Sequence, residues 1–278
     1  MPKFQTSDGL QLYYEDTPGD KGAILCLTGL TRNLRDFDYV KPYLEGYRVV
    51  TMDYRGRGLS DRDPEYLNYN VLRETRDVNE LLDHLGIEYC MVIGTSRGGL
   101  LAMVMAAQEP RRLCGVVLND VGPILGAVGL ARIMAYVGRR PEAATYAEWV
   151  TQLKTELAEE FQDIPEERWF HEAQNRFVET ETGLDLRYDP RLFNSLIEQS
   201  ASNSLPDFEL YFDQLKDMPT GVIRGANSAV LTEEGLAVMH DRHQGLVSKE
   251  VPKRGHTPFL DEPESLDVIH AILKACLP

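Results

Sequence analysis

Met91-Val-Ile-Gly-Thr-Ser-Arg-Gly-Gly-Leu100 decides how the rest of the chain is read. It begins as a strand-like apolar run, passes through G-x-S-x-G and ends as the start of a helical stretch. A sharp strand-to-helix turn forces its central residue into a strained backbone conformation, and small neighbours make the turn sterically possible. The serine hydroxyl then stands clear above a sheet, beside a helix N-terminus that favours negative charge. Ser96 is therefore the candidate nucleophile. A glycine turn whose serine merely caps a helix is the blander alternative, and the strand–turn–helix setting argues against it.

A serine needs a base. Of the six histidines, His84, His240 and His270 fall on charged helical stretches, His171 lies in a helical region and His243 in a polar turn. His256 alone sits in a loop directly after a strand run, within Arg254-Gly-His-Thr-Pro-Phe-Leu-Asp-Glu-Pro263. It also follows the serine in the chain, as a base must in this strand–helix layout.

Outward from these two segments, short apolar runs alternate with helical ones. Strands are expected at Gly9–Glu15, Ala23–Leu27, Tyr47–Asp53, Tyr89–Ile93, Cys114–Leu118, Gly221–Arg224 and Val247–Val251. Helices are expected at Tyr69–Leu85, Gly98–Gln108, Glu233–Asp241 and Glu264–Cys276. Near-continuous apolar strands suit a mostly parallel sheet covered on both faces, an α/β architecture. The rhythm breaks over residues 121–218, which read as helices with no strand among them, one of them running from Pro165 to Val178. This division predicts a core of residues 1–120 and 219–278 carrying a helical insertion, the cap or lid.

Composition narrows the function. The 278 residues carry 29 Lys and Arg against 44 Asp and Glu, a net charge of −15. A nucleic-acid binder needs a basic face, so that class is set aside. No apolar run approaches the roughly 20 residues of a membrane span, and the first residues lack a signal-peptide pattern, so a cytoplasmic location is expected. Cys26, Cys90, Cys114 and Cys276 show no metal-ligand spacing and read as free thiols. There is no HExxH and no nucleotide fingerprint, so neither metal nor organic cofactor is expected. The expected partner is a small molecule with an ester-like carbonyl.

TGLTRN, DYRGRGLS, GTSRGG, LNDVGP, RGANS and GHTPFLDEP, in that order, resemble the α/β-hydrolase superfamily across essentially the whole chain, most closely its esterase-like members with a helical cap. The resemblance implies an eight-stranded, mostly parallel sheet. It also implies an oxyanion hole made from the backbone amides of Leu30 and Arg97, the latter next to the nucleophile. Thr28 departs from the His or Pro that relatives often carry ahead of the glycine, which matters little because the donors are amides. The Arg97 side chain could meet a substrate carboxylate or turn away to an acidic neighbour. The Asp53–Ser60 turn is read as structural. Phe161, Trp169, Phe170 and Phe177 are the aromatic residues expected to shape the cap or the pocket.

The pattern breaks at the acid. Relatives place an aspartate within R-G-x-x-S-D-x-L, but here that segment is Arg224-Gly-Ala-Asn-Ser-Ala-Val-Leu231, with Ala229 at the acid's position. Three readings stay open. Ala229 replaces a native aspartate and disables turnover; Asp120, in Leu118-Asn-Asp-Val-Gly-Pro123, substitutes for it; or the chain binds a ligand without efficient turnover. Asp120 has a competing role in ordering the loop into the insertion, because relatives with the usual acid carry the same motif. The reaction expected is cleavage of a carboxylic ester or lactone through an acyl-enzyme. Hydrolysis of a carbon–carbon bond in a ring-cleavage product is the alternative that shares the same residues.

Overall fold

The computed structural model describes residues 2–202 and 206–277. In chain order it contains β1 (Lys3–Gln5), β2 (Gln11–Thr17), β3 (Ala23–Leu27), β4 (Arg48–Met52), α1 (Val71–His84), β5 (Cys90–Thr95), α2 (Arg97–Gln108) and β6 (Leu113–Asn119). There follow α3 (Ala127–Tyr136), α4 (Tyr146–Glu156), α5 (Glu166–Arg176), β7 (Phe177–Thr180), β8 (Gly183–Leu186), α6 (Leu192–Ala201) and α7 (Phe208–Phe212). The chain then closes with β9 (Thr220–Gly225), α8 (Glu233–Arg242), β10 (Val247–Val251) and α9 (Pro263–Cys276).

Eight strands form one sheet in the order β1-β2-β4-β3-β5-β6-β9-β10. The first two pairings, β1 with β2 and β2 with β4, are antiparallel, and every later pairing is parallel. The expected strands are all present. β1 was not expected; its three residues are too few to show a pattern until they pair with β2.

The apolar runs make sense once both faces are counted. In β3, Leu25 and Leu27 pack into a cluster with Val78, Leu81 and Leu101, which lie on α1 and α2. Ile24 and Cys26, pointing the other way, join a second cluster with Val268, Ile269 and Ile272 of α9. A strand residue alternates faces with period two, so a strand covered on both sides must be apolar throughout. Helix α1 is amphipathic and starts where the Asn70 side chain accepts from the Arg73 amide.

Between β6 and β9 the chain builds a third apolar cluster around Trp149, Phe161, Trp169, Phe177 and Leu186. This stretch is not purely helical. Helix α5 stops at Arg176, and Phe177–Thr180 pairs antiparallel with Gly183–Leu186. The helix expected to reach Val178 ends early because Val178, Thr180 and Thr182 favour extended backbone. Gly183 sits at φ +113, which a glycine tolerates, and Leu184 and Leu186 alternate into the cluster. Among the described residues no helix is long and apolar enough to cross a membrane.

Candidate active site

Ser96 lies between β5 and α2 with φ 49 and ψ −110, outside the usual regions for a side-chain-bearing residue. The turn is possible because its neighbours are small. A Cβ on Gly98 would lie 2.0 Å from the Leu27 carbonyl oxygen, and one on Gly94 would lie 2.6 Å from the Gly98 backbone. The Ser96 amide donates to the Asn119 carbonyl at 2.9 Å, which ties the turn to the end of β6.

His256, in the loop after β10, places Nε2 2.9 Å from Ser96 Oγ, and its Nδ1 lies 2.6 Å from Asp120 Oδ2. An ionised carboxylate only accepts, so this contact puts the proton on Nδ1 and leaves Nε2 free to accept from the serine. Asp120 is fully buried and has φ 56, a strained backbone that turns its side chain across the end of the sheet. Two groups from the end of β9 and the loop after it hold it: the Gly225 amide donates to Oδ1 at 2.8 Å and the Ser228 hydroxyl to Oδ2 at 2.5 Å. Asn119 adds a brace. Its side-chain amide donates at 3.1 Å both to Thr95 Oγ1 and to the Pro258 carbonyl, joining the serine's strand to the histidine's loop.

Ala229 has no side-chain acceptor to offer the imidazole. It borders the cavity above Ser96, and its carbonyl packs against α3, where a Cβ on Gly129 would lie 2.5 Å away. The place expected for the acid is thus occupied from the neighbouring strand by Asp120. The segment that carries Ala229 supplies hydrogen-bond donors to that aspartate. Gly225 and Ser228 lie in the RGANS segment and Asn119 in LNDVGP, but nothing in their spacing marks the first two as partners of Asp120 or the third as a brace between Thr95 and Pro258.

On the other side of Ser96, Leu30 lines the cavity and Arg97 opens α2. Neither backbone amide donates to another described residue, which leaves both available to an oxyanion. The Arg97 side chain points away, into a buried ion pair with Glu74 at 2.7 Å. Glu74 also pairs with Arg57 at 2.7 Å, and Arg57 Nε donates to the Leu30 carbonyl at 3.0 Å. A buried chain of charges therefore connects the two residues that carry the free amides. Asp53, at the start of the same turn, accepts from the Leu34 and Leu59 amides at 2.8 Å each; burial pushes its carboxyl up to about 6 despite those donors. The Asp53–Ser60 turn is thus structural, and its arginines, both buried, are what it contributes.

The cavity above Ser96 measures about 560 Å³ and mixes apolar walls such as Leu157, Phe161 and Trp169 with the charged residues Arg32, Glu172 and Arg176. Of the four expected aromatics, Phe161 and Trp169 line it, Phe177 lines an adjoining cavity and Phe170 packs against the third apolar cluster. His84, His240 and His270 are exposed, and His171 lies 3.5 Å from Asp38, away from the serine.

A family model described as alpha/beta hydrolase fold matches residues 22–263, and the chain belongs to that family. The 3-hydroxybutyrate-oligomer hydrolase of Cupriavidus necator is 33% identical over 258 residues, which span 90% of this chain and 88% of that one. A putative 2-succinyl-6-hydroxy-2,4-cyclohexadiene-1-carboxylate synthase of Bacillus subtilis is 27% identical and covers 92% of each chain. A solved alpha/beta hydrolase from Novosphingobium aromaticivorans superposes with a TM-score of 0.89 at 35% identity, over 99% of this chain and 97% of that chain. These relatives and the fold make the protein a hydrolase of this class.

Proposed function

We propose that the chain is an active serine esterase whose triad is Ser96, His256 and Asp120, with residues 121–218 acting as a cap over the core formed by 1–120 and 219–278. The observation that carries this reading is the relay of 2.9 Å and 2.6 Å linking serine, imidazole and buried carboxylate.

The steps follow from the geometry. Ser96 Oγ attacks the ester carbonyl while His256 Nε2 takes its proton. Negative charge develops on the carbonyl oxygen, where the Leu30 and Arg97 amides can donate without reorganising. Asp120 holds the imidazole in the tautomer that accepts from the serine and stabilises the imidazolium once formed. The imidazolium then protonates the departing alkoxide, leaving an acyl group on Ser96. Water, deprotonated by the same histidine, releases the acid and restores the serine.

The name of the Cupriavidus relative supports esters as the bond class. A linear oligomer of a hydroxy acid is a chain of esters ending in one carboxylate, and a cavity of about 560 Å³ with apolar walls and charged residues suits a short one. The test is a panel of p-nitrophenyl esters of two to eight acyl carbons, run on the wild type, Ser96→Ala and His256→Ala. Turnover is expected in the wild type only, with an acyl adduct on Ser96 detectable by mass after quenching. Absence of turnover across the panel, with the protein folded, would sink the reading.

A further inference from the structure

Two cavities meet beneath the 121–218 segment. The second, about 540 Å³, shares Thr31, Tyr136, Leu153, Glu156 and Arg176 with the one above Ser96. Three arginines line the first cavity. Arg32 is held by two carboxylates, with paired bonds of 2.8 Å and 2.6 Å to Asp36 and a third of 2.7 Å to Glu172, although its Nη1 is buried without a partner. Arg132 is paired with Glu160.

Arg176, the last residue of α5, is the one left under-matched. Its single side-chain bond runs from Nη2 to Glu172 Oε2 at 3.3 Å, onto an oxygen that Arg32 already holds at 2.7 Å. Its Nε is buried with no partner, and Nη1 makes no bond to a described residue. The side chain is nonetheless 30% exposed, and it lines both cavities. One face is covered by Trp149, whose ring centroid lies 5.7 Å from the guanidinium carbon and fixes its plane. Burial, together with the field of Arg32, holds Arg176 below the usual arginine range despite Glu172. A guanidinium with open donors in a partly dry site is a strong match for a planar carboxylate. Glu156 borders the same junction, so the region does not attract anions in general; an anion must make direct contact with Arg176.

We propose that Arg176 recognises a carboxylate on the substrate, so that the preferred substrates are esters carrying a free carboxylate away from the scissile bond, such as short linear oligoesters of hydroxy acids. Arg176 lines the same cavity as Ser96, so a carboxylate held there leaves the ester portion of the chain in the cavity of the serine. This inference rests on the esterase reading of Ser96.

The experiment compares cleavage of the 3-hydroxybutyrate dimer and trimer as free acids with the same compounds capped as carboxamides. The wild type, Arg176→Gln and Arg176→Lys are used, with p-nitrophenyl butyrate as an uncharged ester for the wild type. In the wild type kcat/KM is expected to be at least about tenfold higher for the free acids, a difference carried by KM. Arg176→Gln should bring the ratio of free acid to amide close to one, and Arg176→Lys should keep part of it. Circular dichroism establishes that each variant is folded. Equal rates for acid and amide in the wild type would overturn the carboxylate site, and so would an unchanged ratio in Arg176→Gln. Failure of the wild type to cleave p-nitrophenyl butyrate and both oligomer forms would instead sink the esterase reading beneath it.

Discussion

The loops that follow β6 and β9 leave adjacent parallel strands at the same edge of the sheet, yet they do opposite jobs. The β6 loop offers a buried carboxylate to His256; the end of β9 and the loop after it, where the resemblance leads one to expect the acid, offer an amide and a hydroxyl to that carboxylate. The imidazole requires an acceptor within reach of Nδ1, and it makes no difference which strand supplies it. Because the strands pair in register, with Asn119 opposite Ile223, a side chain one residue beyond β6 can reach the spot that the β9 loop would otherwise fill. The exchange has a local cost in the positive φ of Asp120, and the two new donors help to offset it.

The contrast can be broken outright at Asp120. Asp120→Asn keeps the shape but presents an amide to Nδ1, favouring the wrong tautomer. A fall in kcat of roughly ten-thousand-fold, about 5 kcal/mol of barrier, is expected in the p-nitrophenyl ester assay, with KM little changed. Near-normal turnover in this variant would mean that Asp120 is not the acid. A weaker blow falls on the supporting loop. Ser228→Ala removes a hydrogen bond to a buried charge, of the order of 1.5–3 kcal/mol, and should lower kcat by about ten- to a hundredfold without loss of folding, as read by thermal melts.

The smallest effect is the most informative one. Ala229→Asp restores the residue that relatives carry, and a disabled enzyme would regain activity of several orders of magnitude. With Asp120 already in place, the added carboxylate meets like charge instead. A drop of about tenfold or less is expected, and a gain above a hundredfold would reassign the acid to the β9 loop.

Much of this was legible beforehand because it is local. The turn around Ser96 needs small residues at fixed offsets, and a Cβ on Gly98 would meet the Leu27 carbonyl at 2.0 Å, so the motif is a direct record of backbone geometry. The strands of the sheet were legible for a similar reason, since each is buried on both faces. The β7–β8 hairpin was not. Phe177–Thr180 follows a helix without a breaker, and four-residue strands carry little periodicity.

The sequence by itself determined the hydrolase fold, the serine and histidine, and the absence of an aspartate at position 229. It left the fate of Asp120 open, because a residue's value as an acid depends on its distance to an imidazole 136 positions away. The pairing of β6 with β9 brings the two within 2.6 Å. The same holds for Arg176: its charge is visible in the sequence, but that it shares Glu172 Oε2 with Arg32, 144 residues earlier, is visible only in the fold. Spacing along a chain records local geometry, whereas charge balance in a dry cavity is fixed by which distant side chains arrive there first.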